Sequence, residues 1–215
     1  MKKGALRKVL ITGGPTWVKI DDLRIITNVF TGRTALFLAK KFKKKNFDVT
    51  LIINSHCIKN ELPKNVKVVP FRYFEGLKTK IEKELKKDKF DLIIHSAAVS
   101  DYKLKKVFKG KVPSQQQEWT LELVPAPKLI KLIRKLARDS YLVQFKLEIK
   151  KDGLINKAFK SLKDNKADLV VANALEDLKL NYKAFIIDKN KNITAVSSKR
   201  EFFSYLLKFF PAILK

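Results

Sequence analysis

The sequence is poor in the residues that build most catalytic centres. One cysteine, Cys57, and two histidines, His56 and His95, stand among 215 residues. A single cysteine excludes an intrachain disulfide and a multi-thiolate metal site, and two histidines leave little for an imidazole-rich centre. Zinc-hydrolase and Cys-His protease chemistries drop out on that count, and a reducing compartment, the cytoplasm, is expected. Glycine and proline are scarce as well, at seven each, which excludes collagen and low-complexity linkers. No apolar run approaches the ~18 residues of a membrane helix. The run behind the basic head, VLIT, is far shorter than the ~7–15-residue core of a signal peptide. Neither secretion nor membrane spanning is expected.

Acids are the other shortage. Asp and Glu total 21 against 47 Lys and Arg, for a formal net charge of +26. Such an excess raises nucleic acid or an anionic membrane as partners. Yet only seven of the basic residues are arginine, and base-specific readers lean on arginine's planar fork. The lysines run along the whole chain and interleave with acids in KTKIEKELKKDKFD, as on the solvated side of a helix. We read the excess as a solvated surface plus one site for a polyanionic small molecule, with no specific nucleic acid and no membrane. A basic nucleic-acid-binding protein stays as an alternative, with salt-steep duplex binding as its signature.

What is present is a chain 46% apolar, of a length that suits one domain spanning 1–215. Apolar runs closed by turn residues predict strands at 8–12, 48–53, 66–71, 91–98, 118–124, 141–146 and 168–172. Helical periods predict helices at 33–45, 73–88, 127–138 and 151–165; in the first, Leu36, Phe37, Ala39 and Phe42 oppose lysines. A hairpin-like pair, YKAFIID and NITAVS, follows, and Ser198 to Glu201 forms a capping box at the last helix. Residues 99–117 keep no period and read as a long loop, a class that is usually functional or disordered. The alternation predicts an α/β, three-layer Rossmann-like fold with a mainly parallel sheet and helices on both faces. Ligands in such sheets sit beyond the carboxyl ends of the strands. That rule singles out the segments after Thr12, Ala98, Phe145 and Ala172.

The first of these, TGGPT, lacks the GxGxxG spacing, and Pro15 removes one phosphate-binding amide. There is no GxxxxGK[ST] loop. A tight turn is the plain alternative. The second motif, TNVFTGR at 27–33, opens a helix and can turn backbone amides to an anion; the plain alternative is that Thr31 caps the helix. The third, HSAAVSDY at 95–102, has small side chains that let a ligand approach the backbone. Its Asp101 can bind a ribose, a base or a metal, or simply cap a turn. His95 reads as a satisfied, half-buried histidine, and Cys57 has no flanking base and no role. An NAD(P)-dependent reductase stays as a second alternative, weakened by the missing third glycine and the missing Tyr-x-x-x-Lys pair.

Taken together, these motifs resemble the phosphopantothenoylcysteine synthetase (phosphopantothenate–cysteine ligase) family, the C-terminal half of the bacterial pantothenate-metabolism flavoprotein. The family's opening, roughly I-T-x-G-x-T-x-x-x-I-D-x-[VL]-R-x-I-[ST]-N-x-[ST]-[ST]-G, appears without a gap as ITGGPTWVKIDDLRIITNVFTG. AAVSDY, LELVPAP, FKLE and ADLVVAN follow in the family's order. The departures are Phe30 in place of a serine, shifted lysines before ADL, and Lys111-Val-Pro-Ser in place of K-x-K-K.

The resemblance implies a ligase that condenses 4'-phosphopantothenate with cysteine through an acyl-nucleotidylate, with CTP expected over ATP and both left open. It implies Asn28, Lys111 and Arg24 at the reacting centre. Gly14, Thr31, Gly32, Ser96, Ala97, Ala98, Asp101, Pro127, Phe145, Lys160 and Lys163 are implied around the nucleotide. It further implies Mg²⁺ bridging the phosphates with few protein ligands, Asp101 being the candidate, and a homodimer touching through strand 118–124 and the loop before it. A standalone synthetase without flavin is expected.

Overall fold

The computed structural model describes residues 7–58, 62–115, 117–180 and 182–213. Its elements are β1 (Lys8–Gly13), β2 (Trp17–Lys19), β3 (Ile25–Thr27), α1 (Arg33–Lys44), β4 (Asp48–Asn54), β5 (Lys67–Phe71), α2 (Phe74–Lys87), β6 (Leu92–His95), β7 (Tyr102–Leu104), β8 (Leu123–Pro125), α3 (Leu129–Leu136), β9 (Tyr141–Glu148), α4 (Leu154–Asn165), β10 (Leu169–Ala174), α5 (Leu175–Leu180), β11 (Ala184–Asp188), β12 (Ile193–Val196) and α6 (Lys199–Ile213). Eight strands form one sheet in the order β12-β11-β10-β9-β6-β1-β4-β5. β10, β9, β6, β1, β4 and β5 pair in parallel, and β11 and β12 add an antiparallel hairpin at one edge. The expected α/β fold is the one observed.

The sheet follows from the apolar runs. Successive residues of a strand face opposite sides, so Val9 and Ile11 enter one core and Leu10 the other. The first core is closed by α1 and α6 and the second by α2, α3 and α4. Helix α1 buries Ala35, Leu38, Ala39 and Phe42 at spacings of three, one and three, which is one face of a helix. At the α6 entry, Glu201 N donates to Ser198 Oγ at 3.1 Å, and a Glu201 carboxylate oxygen accepts the Ser197 amide at 2.8 Å. The expected capping box therefore forms, with its carboxylate reaching one residue further back than the standard pattern.

Several expectations need correction. Residues 118–122 are not a strand; only Leu123–Pro125 pairs, antiparallel to β7, in a ribbon outside the main sheet. The alternation in EWTLELV is satisfied instead by a satellite cluster, where Trp119 and Leu121 pack on Val18, Ile20, Leu104 and Phe108. The strand expected to reach residue 98 ends at His95, and the helix expected over 127–138 spans Leu129–Leu136. The stretch read as a loop from 99 contains β7. The β2–β3 hairpin and α5 have no counterpart in the expected elements, since strands of three residues and a helix of six are too short to show a period.

Candidate functional site

The chain leaves β1 toward β4 and β5, then returns to place β6 on the other side of β1. This reversal of direction opens a crevice at the strands' carboxyl ends. A cleft of about 1080 Å³ lies there, floored by the segments after β1 and β6 and by the end of β9, and walled by the starts of α1 and α3 and by α4.

Two loops at its centre are stitched together. Ala98 N donates to Gly14 O at 3.0 Å and Thr16 N to Ala98 O at 3.2 Å, while Ser100 N donates to Thr16 Oγ1 at 2.9 Å. Ser96 Oγ donates to Thr12 O at 2.7 Å. The motifs TGGPT and HSAAVSDY, 80 and more residues apart in sequence, therefore form one rigid floor. Asn28 reaches the same place by donating its amide to Ala98 O at 3.2 Å.

The start of α1 comes unusually close to this floor. A Cβ on Gly13 would stand 2.2 Å from the Ala35 Cβ, so only glycine fits. Gly32 caps α1 in the left-handed region at φ 67°, with no side-chain hydrogen bond to the first turn. Thr31 is therefore not the cap, which corrects the plain reading of that motif. Arg33, Thr34 and Ala35 line the cleft beside Thr31 and Gly32, an arrangement suited to an anion.

His95 also lines the cleft and shares a 2.8 Å hydrogen bond with Thr12 Oγ1. Burial pushes its pKa down to about 4, so it is neutral near pH 7. It is the satisfied histidine expected, though buried rather than half-buried. Asp101 is exposed and paired with Lys128 at 2.5 Å. Pro127 borders the start of α3, and Phe145 packs edge-on against Phe202 at 5.8 Å. Lys160 lines the α4 wall, whereas Lys163 turns over the Phe159 ring at 4.5 Å and is not part of the lining. Cys57 sits half-buried behind Gly14 and Gly32, and burial raises its thiol pKa.

Arg24 and Lys111 also lie off the cleft. The Arg24 guanidinium donates to Asp21 at 2.8 Å and to Val112 O at 3.2 Å, and it stacks 5.1 Å over Trp119. Lys111 is exposed between Gly110 and Val112. The structure thus gathers Gly14, Asn28, Thr31, Gly32, Ser96, Ala97, Ala98, Asp101, Pro127, Phe145 and Lys160, and leaves Arg24, Lys111 and Lys163 outside.

Other residues of the cleft, Gln144 and Lys199, had no motif to announce them, and Arg33 stood in its motif without an assigned role. Gln144 accepts from Asn165 Nδ2 at 2.9 Å and donates to Ser161 Oγ at 3.2 Å, a neutral polar patch between β9 and α4. Its signal in the sequence is an amide interrupting the apolar run YLVQF. Lys199 and Arg33 meet at the other end; burial, then the Arg33 charge, lowers the Lys199 pKa. Nothing in the sequence separates Lys199 from the many other lysines, whereas Arg33 closes the motif TNVFTGR. Among the described residues, no three His, Cys, Asp or Glu side chains converge as a metal cluster.

Comparison with known proteins bears on this geometry. Residues 5–208 match the family described as DNA/pantothenate metabolism flavoprotein C-terminal domain. The coenzyme A biosynthesis bifunctional protein CoaBC of Methanocaldococcus jannaschii is 34% identical over 202 residues, covering 90% of this chain and 48% of that protein. The chain spans about half the length of the curated relatives it matches. The crystal structure of the DNA/pantothenate metabolism flavoprotein from Streptococcus pneumoniae superposes with a TM-score of 0.86 at 27% identity, covering 97% of this chain and 99% of that one. A Cab2 variant in complex with phosphopantothenate-cysteine shares the fold, with a TM-score of 0.82 at 18% identity over 97% of this chain and 87% of that one.

Proposed function

Since the chain belongs to the DNA/pantothenate metabolism flavoprotein C-terminal domain family, we propose that it is a phosphopantothenate–cysteine ligase acting in coenzyme A biosynthesis. The observation that carries this reading is the stitched floor: the two loops joined through Ala98, with Asn28 bonded onto the same carbonyl. The coenzyme A role in the names of the relatives supports it, as does the phosphopantothenate-cysteine bound by the Cab2 variant.

In the proposed reaction the phosphopantothenate carboxylate attacks the α-phosphorus of a nucleoside triphosphate, and pyrophosphate leaves. The amine of cysteine then attacks the acyl carbon, loses a proton and expels the nucleoside monophosphate. Both steps are served by positioning and by electrostatic stabilisation of developing anionic charge. The cleft suits that work. Its histidine is neutral, and its cations include Arg33, Lys160 and Lys199. Asn28 supplies an amide to the oxygens of the acyl-nucleotidylate, and Lys111, which lies off the cleft, neutralises the activated carboxylate and phosphate once substrate binding or a neighbouring copy brings it close. Arg24 steadies a substrate anion once substrate binding or a neighbouring copy brings it close.

CTP is the preferred triphosphate in this reading. Mg²⁺ fits as an ion carried in by the triphosphate rather than held by a protein cage, since the cleft carboxylates Asp101, Glu148 and Asp164 do not converge and Asp101 is paired with Lys128. It would neutralise phosphate charge there. Two copies of the chain pair through the β7–β8 ribbon and the neighbouring β2–β3 hairpin, where Leu23 is 69% and Val29 96% exposed. The working compartment is the cytoplasm. The deciding experiment is pyrophosphate release with phosphopantothenate, cysteine and CTP or ATP in turn. Release that depends on both acceptors supports the ligase, and none with either nucleotide overturns it.

A further inference from the structure

The fold separates the three residues assigned to the reacting centre, yet all three hang from the β2–β3 hairpin. β3 runs directly into Asn28 on the cleft floor. At the hairpin tip, Asp21 is 1% exposed, and its carboxylate accepts the amides of Leu23 at 2.8 Å, Arg24 at 2.7 Å and Val112 at 3.2 Å, besides the Arg24 guanidinium. Asp22 makes a two-way clasp with Gly110: its amide donates to Gly110 O at 3.1 Å, and Gly110 N donates to its carboxylate at 2.9 Å. Both neighbours of Lys111 are therefore tied to the hairpin, one on each side. Arg24 closes the link by donating to Val112 O.

We propose that Asp21 is a positioning residue for the ligation, clamping the backbone at Lys111 to the hairpin that carries Asn28 so that the two side chains meet substrate as one piece. The inference rests on the proposed role of Lys111. A carboxylate suits the post because it is an acceptor only and can take several amides at once. An asparagine would turn an NH₂ toward amide donors that have no acceptor to spare for it. Burial alone would raise the Asp21 carboxyl; the three amides and Arg24 outweigh it and hold the group below the usual carboxylate range. The clamp therefore stays charged throughout the neutral range.

The test compares Asp21→Asn, Lys111→Gln and the double variant in pyrophosphate release, with hydrogen exchange followed at Gly110, Val112 and Ile25–Thr27. Asp21→Asn is expected to lower kcat by about 10- to 100-fold with nucleotide KM within about 2-fold, the signature of misplaced rather than missing groups. In the Lys111→Gln background it should cost far less, because what then remains passes only through Arg24, whose guanidinium Asp21 also holds. Losses that multiply in the double variant, or a raised KM at unchanged kcat, would overturn the proposal. Asp22→Ala, which removes the carboxylate half of the Gly110 clasp together with the exposed Lys19 pair and keeps the Asp22 amide on Gly110 O, should give the same kind of loss on a smaller scale; full kcat there would count against the clamp. Exchange is read independently of activity. Were no nucleotide turned over by the native chain, the ligase reading would fall, while unchanged Gly110 and Val112 protection in Asp21→Asn would sink the clamp by itself.

Discussion

The main sheet and the arm beside it are held together by opposite means. In the sheet, strands buried on both faces feed two apolar cores, and helices close each core with residues such as Phe42, Leu77 and Ile133 that are fully buried. In the arm, made of the β2–β3 hairpin, the β7–β8 ribbon and the segment between β7 and β8, the described residues form one small apolar cluster, Val18, Ile20 and Leu104, with Phe108, Trp119 and Leu121 partly buried against it. Carboxylate clasps from Asp21 and Asp22 join the hairpin to the backbone around Lys111. Apolar burial has no direction, so it fixes a scaffold and tolerates small shifts. Charge-assisted hydrogen bonds are directional, so they fix where particular atoms stand. The proposed reaction needs both: a rigid floor and an arm that presents Lys111.

The largest effect should come from the sheet. Phe42→Ala removes a fully buried ring between Phe47 and Phe203. It should cost about 3–5 kcal/mol of stability. Calorimetry should show a lowered Tm with near-normal kcat below the transition. A large kcat loss in a folded sample would erase the distinction between scaffold and site.

Next is Asn28→Ala, at the junction of the two regions. Asn28 is exposed and its side-chain amide donates to Ala98 O, so melting should be little changed. Amide formation should fall by roughly 10²–10³-fold, as for one lost preorganised donor. Native turnover in that variant would remove Asn28 from the mechanism. Within the arm, Lys111→Gln should cost on the order of 10²-fold in turnover. Gln variants of Lys103, Lys105, Lys106 and Lys109 should shift only nucleotide KM and its salt dependence, by screening of a diffuse charge. Equal, mild losses at all five positions would make the arm an electrostatic funnel with no assigned lysine.

The same contrast explains what the sequence made legible. Strands such as KVLIT and DLVVA were readable because burial on both faces demands an unbroken apolar run. The hairpin Trp17–Thr27 was not, since its strands have three residues each and its stability comes from side chains bonding to backbone, which leaves no period. The residue types of the site were readable, and most of them converge. Arg24 and Lys111 had the right chemistry at the right register, but nothing in a one-dimensional pattern says that Asp21 has already taken the arginine's fork. Lys163 shows a gentler form of the same limit: one turn along a helix decides whether a lysine meets the cleft or the Phe159 ring.

The smallest expected effect sharpens the boundary between floor and core. His95 belongs to both, buried in the sheet yet lining the cleft. Desolvation holds its folded pKa at about 4, against an ordinary 6.5. The folded state therefore resists protonation that the unfolded chain accepts. Its neutral form costs nothing above pH 6.5, and stability is lost as pH falls from 6.5 toward 4, because the unfolded state binds the extra proton. Between pH 7 and pH 5.5 the loss should be roughly 1 kcal/mol from this group alone. The carboxylates held low, Asp21 and Asp88 among them, act in the same direction but at lower pH. Urea denaturation at the two pH values, on the native chain and on His95→Asn, separates the contributions. The variant should be less stable overall, since it disturbs the Thr12 contact, but flatter between pH 7 and 5.5. An equal slope in both proteins would mean that His95 is solvated and free to titrate, and that the floor of the cleft is wet at its centre rather than part of the apolar core.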